Sequence, residues 1–201
     1  FRCAQNQQDF LQKFYYKCGL KLAILSNENE ANFEKLGVQN DPEILPLDHS
    51  SILLVDFGGG STEFSWLFSS RPPLCIAVGK NDFINHVSFD LFKDKYNSVF
   101  ETLTASVPKI IVLAGSTICS YARCLQKIQN VDSIQNIHLY YDDNYIHYAS
   151  PNERSTADIG AALVQFLQSF HPEQMRITTY GLRHGLIYAW AKNLPDLKVI
   201  G

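Results

Sequence analysis

The sequence predicts an α/β fold: a mixed sheet that opens with an antiparallel meander and carries helices on both faces. Three observations predict it. Short apolar runs of strand length, at 51–56, 109–114 and 175–179, alternate with longer segments of helical spacing. The runs at 51–56, 61–67 and 73–79 follow one another through connections too short for a crossover, so they are antiparallel neighbours. A long helical crossover then leads to 109–114, which belongs parallel beside the first strand.

Each element has its own signal. Asn6 can cap a helix with Asp9 in its first turn; Phe10, Leu11, Phe14, Tyr15 and Cys18 follow at helical spacing, and Gly19 is a natural stop. Leu20, Leu22 and Ile24 alternate with Lys21 and Ala23 and predict a strand. A second helix fits Glu28 to Leu36, and 39–50, with two prolines and several turn formers, predicts a linker or domain boundary. Ser51 to Asp56 is an apolar strand ending in an acid, Gly58-Gly59-Gly60 turns the chain, and Ser61 to Leu67 runs back. Along that return Phe64 and Trp66 share one face, and Ser61, Glu63 and Ser65 the other. Residues 73–79 predict the third strand and 82–103 one long amphipathic helix. Next come a buried strand at 109–114, a helix at 117–129, strand at 136–149, a helix at 153–170, a strand at 175–179 and a last helix at 182–192.

Composition excludes several functions. Of 201 residues 46% are hydrophobic and 18% charged, below the ~25% usual in soluble domains, which suits a packed core. A net charge of −3 argues against nucleic acid or an anionic membrane as partner. No apolar run approaches the ~18 residues needed to span a bilayer. The five cysteines, Cys3, Cys18, Cys75, Cys119 and Cys124, form no CxxC pair and are expected to be reduced, buried thiols of a cytoplasmic protein. The six histidines show no HExxH spacing. The chain opens on Phe1 and is expected to be a piece of something longer.

The stretch Val55-Asp56-Phe57-Gly58-Gly59-Gly60-Ser61-Thr62-Glu63 carries the chemistry. An apolar strand delivers Asp56 to its own end, and three glycines permit positive φ and close approach of backbone to a ligand. Amides in such a turn suit phosphate oxygens, and the hydroxyls of Ser61 and Thr62 add donors. Asp56 can hold Mg²⁺ against those oxygens, and Glu63, facing the way Ser61 faces, can join it or orient water. No GxxxxGK[ST] loop occurs.

A strand–Asp–GGG–Ser–Thr hairpin resembles the second phosphate loop of the actin-like phosphotransferases. The longer string DFGGGSTEF resembles the DIGGGSTEL of the exopolyphosphatase/guanosine pentaphosphate phosphohydrolase (Ppx/GppA) family. Ser26 to Ala31 followed by Leu36-Gly37-Val38 is similar to that family's SGxEEA…LGV, and Ala114 to Thr117 to its second glycine-rich turn. Glu153-Arg154 is similar to the start of its late helix, and Tyr180 to Tyr188 to its YGLREGLLY. Departures are Asn27 for a glycine, Asn29 and His184 for glutamates, a short stretch between Gln129 and Glu153, and no first phosphate loop.

The resemblance implies an actin-like (ribonuclease-H-like) fold. Residues 1–48 would be the C-terminal portion of a first actin-like domain and 49–201 the second. It implies Glu30 as catalytic base or water-orienting residue, Asp56 and Glu63 as metal acids, and Gly58, Gly59, Gly60, Ser61 and Thr62 as phosphate loop. Arg154 and Arg183 are candidates for distal phosphates through their guanidinium forks. The implied reaction is Mg²⁺-dependent release of terminal phosphate from polyphosphate or guanosine pentaphosphate, with guanosine tetraphosphate a further possible partner and a homodimer left open. Without the opposing loop, the chain alone is expected to be nearly inactive. A sugar kinase or ATPase of the same fold, or a non-catalytic module that senses phosphate or alarmones, stays open as an alternative.

Overall fold

A computed structural model describes residues 5–22, 24–47, 51–104 and 106–192. Cys3, Ala23, His49 and the domain boundary expected at 48/49 lie outside the described residues. The elements run α1 (Gln7–Cys18), α2 (Asn27–Gln39), β1 (Ile52–Phe57), β2 (Thr62–Trp66), β3 (Leu74–Ile76), α3 (Phe89–Lys95), α4 (Asn97–Thr104), β4 (Ile110–Ala114), α5 (Ser116–Gln129), α6 (Arg154–Gln168), β5 (Gln174–Ile177) and α7 (Leu182–Ala191).

One five-stranded sheet has the order β3-β2-β1-β4-β5. The first two pairings are antiparallel, and β1–β4 and β4–β5 are parallel, as the connection lengths predict. All six residues of β1 are buried, because this central strand is covered on both faces. Leu53, Val55 and Phe57 face α3, α5 and α6, in a core with Phe64, Phe92, Tyr96 and Phe166. Ile52 and Leu54 face the other way, joining Val38, Ile44, Val112 and Ala114 under α2. Asp56 continues that second face by the strand's alternation.

Helices α2 and α7 meet backbone to backbone. A Cβ on Gly37 would stand 2.4 Å from the Gly181 carbonyl oxygen, and one on Gly185 1.7 Å from that of Phe33. Entry into α7 is held by Thr178, whose hydroxyl donates to buried Asp41 at 2.6 Å and accepts from the Tyr180 amide at 3.0 Å. The proline-containing segment after α2 is therefore an anchored turn around Asp41 and buried Ile44.

Four expected elements differ. Among the described residues of 20–24 only Ile24 makes a strand bridge; Leu20 and Leu22 are exposed, and α1 buries no residue. Asn6 heads α1 without a side-chain cap bond, whereas Gly19 ends it in the left-handed conformation. The single helix expected over 82–103 is broken: Ser88 caps α3, accepting from the Leu91 amide at 3.1 Å, and the chain bends at Tyr96 before α4. The strand expected at 136–149 is absent. Its backbone is claimed instead by side chains of α5 and α6: Gln129 bonds both amide and carbonyl of His138, Tyr121 bridges the Tyr140 carbonyl and the Asp142 amide, and Gln168 accepts from Tyr141. No helix among the described residues is long and apolar enough to cross a membrane.

Candidate active site

The β1–β2 hairpin turns at Gly59 and Gly60, where the Gly58 amide donates to the Ser61 carbonyl at 3.0 Å. The amides of Lys80 and Asn81 bind the carbonyls of Gly58 and Gly59, each at 2.9 Å, and hold the turn in place. None of these three glycines adopts a positive φ. Their smallness leaves space instead: a Cβ on Gly60 meets nothing within 4 Å. The residue that does need left-handed freedom is Gly115, at φ +104°, where α5 begins. A Cβ there would lie 2.7 Å from the Phe57 carbonyl oxygen and 3.0 Å from Asp56 Oδ1, so the start of α5 closes directly over the acid.

The hairpin register sets Asp56 directly opposite Glu63, two buried acids on neighbouring strands. Like charges so placed repel. From above, α2 brings a third, Glu34, and the ligand oxygens of all three carboxyls lie within 4.8 Å of one another. Glu30 precedes Glu34 by one helical turn and shares its face. It lines a cleft of about 1070 Å³ together with Asp56, Gly58, Gly59, Gly60, Ser61 and Glu63, closed on a further side by Phe10, Leu11 and Leu22.

Burial, then hydrogen bonding to Asp56, then the charges of Asp56 and Glu63, push the Glu34 carboxyl up from 4.5 to about 10. The folded chain thus keeps a proton that the unfolded chain releases above about 4.5. The stability this proton supplies is complete below that pH and is lost as pH rises toward 10. We expect the melting temperature of the protein in chelator to fall from pH 5 to pH 9, and Glu34→Gln to flatten the fall. An unchanged slope in the variant would remove Glu34 as its source.

The sequence-predicted residues divide. Glu30, Asp56, Gly58, Gly59, Gly60, Ser61 and Glu63 share the cleft. Thr62 is corrected as a side-chain donor: it is fully buried, and its hydroxyl lies 2.7 Å from both Tyr96 Oη and the Val78 carbonyl. Arg154 and Arg183 do not line the cleft; Arg154 donates to the Ile146 carbonyl at 3.0 Å, and Arg183 is exposed on α7. Cys18, Cys75, Cys119 and Cys124 are free thiols, but their expected burial is corrected: Cys124 is buried, Cys75 and Cys119 are half-buried, and Cys18 is exposed because α1 buries no residue. Glu34 was not anticipated, although its spacing of four from Glu30 places both on one side of α2.

Strand order, meander and glycine hairpin together define an actin-like α/β fold. The model of the Ppx/GppA phosphatase family matches residues 1–83, which hold Glu30, Glu34, the hairpin and Glu63. Among solved structures, an exopolyphosphatase from Cytophaga hutchinsonii is similar with a TM-score of 0.74 at 14% identity, over 96% of this chain and 72% of that one. The Ppx/GppA family member from Aquifex aeolicus gives 0.69 at 18% identity, over 96% and 71%. No curated protein matches the chain in sequence. The resemblance first carried by DFGGGSTEF is borne out, and so is the fold it implies.

Proposed function

We propose that this protein hydrolyses the terminal phosphoanhydride of polyphosphate or of guanosine pentaphosphate, with Mg²⁺ as cofactor. The observation that carries the proposal is the cleft in which Glu30 meets the Gly58–Ser61 hairpin and the acid pair Asp56 and Glu63. Similarity to a named exopolyphosphatase and to the Ppx/GppA family model supports the same reaction class.

In this scheme the hairpin backbone receives the terminal phosphate, whose oxygens suit the amides and open space of a glycine turn. Glu30, in the first turn of α2, orients water and takes its proton. The donor set fits a hard cation, since all three clustered carboxyls are buried and Glu34 Oε2 has no hydrogen-bond partner. Asp56 and Glu63 would hold Mg²⁺, which supplies neutralising charge to the phosphate oxygens. The boundary near 48/49 is proposed as the seam between two actin-like domains.

Phosphate release from polyphosphate and from guanosine pentaphosphate, with and without Mg²⁺ and with an opposing phosphate loop present, tests the reaction; the 201-residue chain alone should release little. Turnover of ATP with neither substrate cleaved would replace it with a kinase or ATPase. Gly60→Ala tests the hairpin separately. The protein has room for that methyl group, so the melting temperature should stay near wild type, while tripolyphosphate binding weakens roughly tenfold or more, ~1.4 kcal/mol. Unchanged binding in a folded variant would move the phosphate elsewhere.

A further inference from the structure

We propose that Glu34 is a third carboxylate ligand, beside Asp56 and Glu63, for a hard divalent cation that resides in the protein before any phosphate arrives. The proposal rests on the assignment of Asp56 and Glu63 as metal acids and extends it to a residue outside the motifs that suggested them.

Two observations carry it. The three carboxyls converge from different elements, α2, β1 and β2, with ligand oxygens within 4.8 Å of one another. That spread matches oxygens on opposite sides of one ion at ~2.0–2.6 Å each. Independently, Glu34 is only 7% exposed, yet its Oε2 has no hydrogen-bond partner. A buried polar oxygen left unsatisfied is costly unless a ligand completes it. The neighbour it has, Asp56, is another acid. The charged groups recorded against the Glu34 carboxyl among the described residues, Asp56 and Glu63, are both acids, so neither neutralises it.

The count of carboxylates decides when the ion binds. Sites with one or two protein carboxylates usually hold Mg²⁺ together with substrate phosphates. When the ion takes the place of the proton on Glu34 and that proton leaves to solvent, a third buried carboxylate raises the site's charge enough to retain a divalent ion alone, and an all-oxygen set selects Mg²⁺ or Mn²⁺ over softer metals. Glu34 would then make the cation a standing part of the cleft floor, with Glu30 one turn further along α2 facing the water.

Electron paramagnetic resonance titration with Mn²⁺, in phosphate-free buffer, reads this directly. The full chain should bind one Mn²⁺. Glu34→Gln, nearly the same size, should weaken binding at least ~10-fold, and Glu34→Asp, which keeps the charge on a shorter arm, should weaken it less. A packing role would order the two the other way, and melts in chelator confirm that each variant is folded. Mn²⁺-induced stabilisation of the wild type, lost in Glu34→Gln, is the second expected signal. Equal Mn²⁺ affinity in wild type and Glu34→Gln, with Asp56→Asn impaired, would overturn the role of Glu34 and leave Asp56 and Glu63 standing. No Mn²⁺ binding by wild type until tripolyphosphate is added would overturn the resident ion alone. Binding insensitive to Asp56→Asn and Glu63→Gln would overturn both assignments.

Discussion

A Gly185→Ala protein is expected to lose about 3 kcal/mol or more of stability, a fall in melting temperature of roughly 6–12 °C for a chain of this size. The added carbon would stand 1.7 Å from the carbonyl oxygen of Phe33 and 2.6 Å from its carbonyl carbon. Both are backbone atoms of α2, so no rotamer change relieves the contact, and the two helices must separate. The opening falls one residue from Glu34, so the variant should also lose the steep pH dependence that this buried carboxyl imposes. Thermal melts at pH 5 and pH 9 measure both effects. The outcome that sinks the idea is a variant of wild-type stability, which would mean that α2 and α7 do not touch through their backbones.

How far the sequence disclosed this arrangement depends on the range of the interaction that fixes each part. The meander and the parallel neighbour at 110–114 were legible because β1 is apolar throughout and its connections are either very short or very long. The stretch 136–149 was not, although its aromatic and β-branched residues favour strand. Gln129, Tyr121 and Gln168, from helices before and after it, take the hydrogen bonds a strand would have given to a neighbour. Such capture is a tertiary event with no local signature. The broken helix over 82–103 is an intermediate case. Ser88 is a readable cap, but the bend at Tyr96 depends on a ring packed against Phe64 and a hydroxyl seated on Thr62 and Val78.

The site divides along the same line. Asp56 and Glu63 follow from a tight hairpin, whose register must pair them. Thr62 could have been excluded earlier, since the alternation that sets Glu63 with Ser61 sets Thr62 with Phe64 on the core face. Glu34 shows the limit. Its spacing from Glu30 marked a shared face, but a carboxylate in a helix is normally solvated. What buries it is the close approach of α2 to the sheet and to α7, and that depends on two glycines, Gly37 and Gly185, almost 150 residues apart in sequence.

Glu30→Gln, assayed on polyphosphate or guanosine pentaphosphate with an opposing phosphate loop present to complete the cleft, is expected to lower kcat by roughly 10²–10⁴-fold, the contribution of a positioned general base. KM should stay level or fall, because the lost interaction is made in the transition state and one negative charge facing a polyanion is removed. The substitution preserves side-chain size, and Glu30 lies in the first turn of α2, partly exposed at the cleft edge. Removing a carboxylate from that turn weakens its favourable interaction with the helix dipole, so a stability loss of only about 0.3–1 kcal/mol is expected, too small to explain the kinetic effect. Comparison with Asp56→Asn separates chemistry from binding. Asp56 sits under the hairpin, against the start of α5, so its variant should lose cation-dependent substrate affinity as well as turnover. If Glu30→Gln instead keeps a normal kcat, the water must be activated by another group, and the hairpin and its acids remain as the binding half of the site.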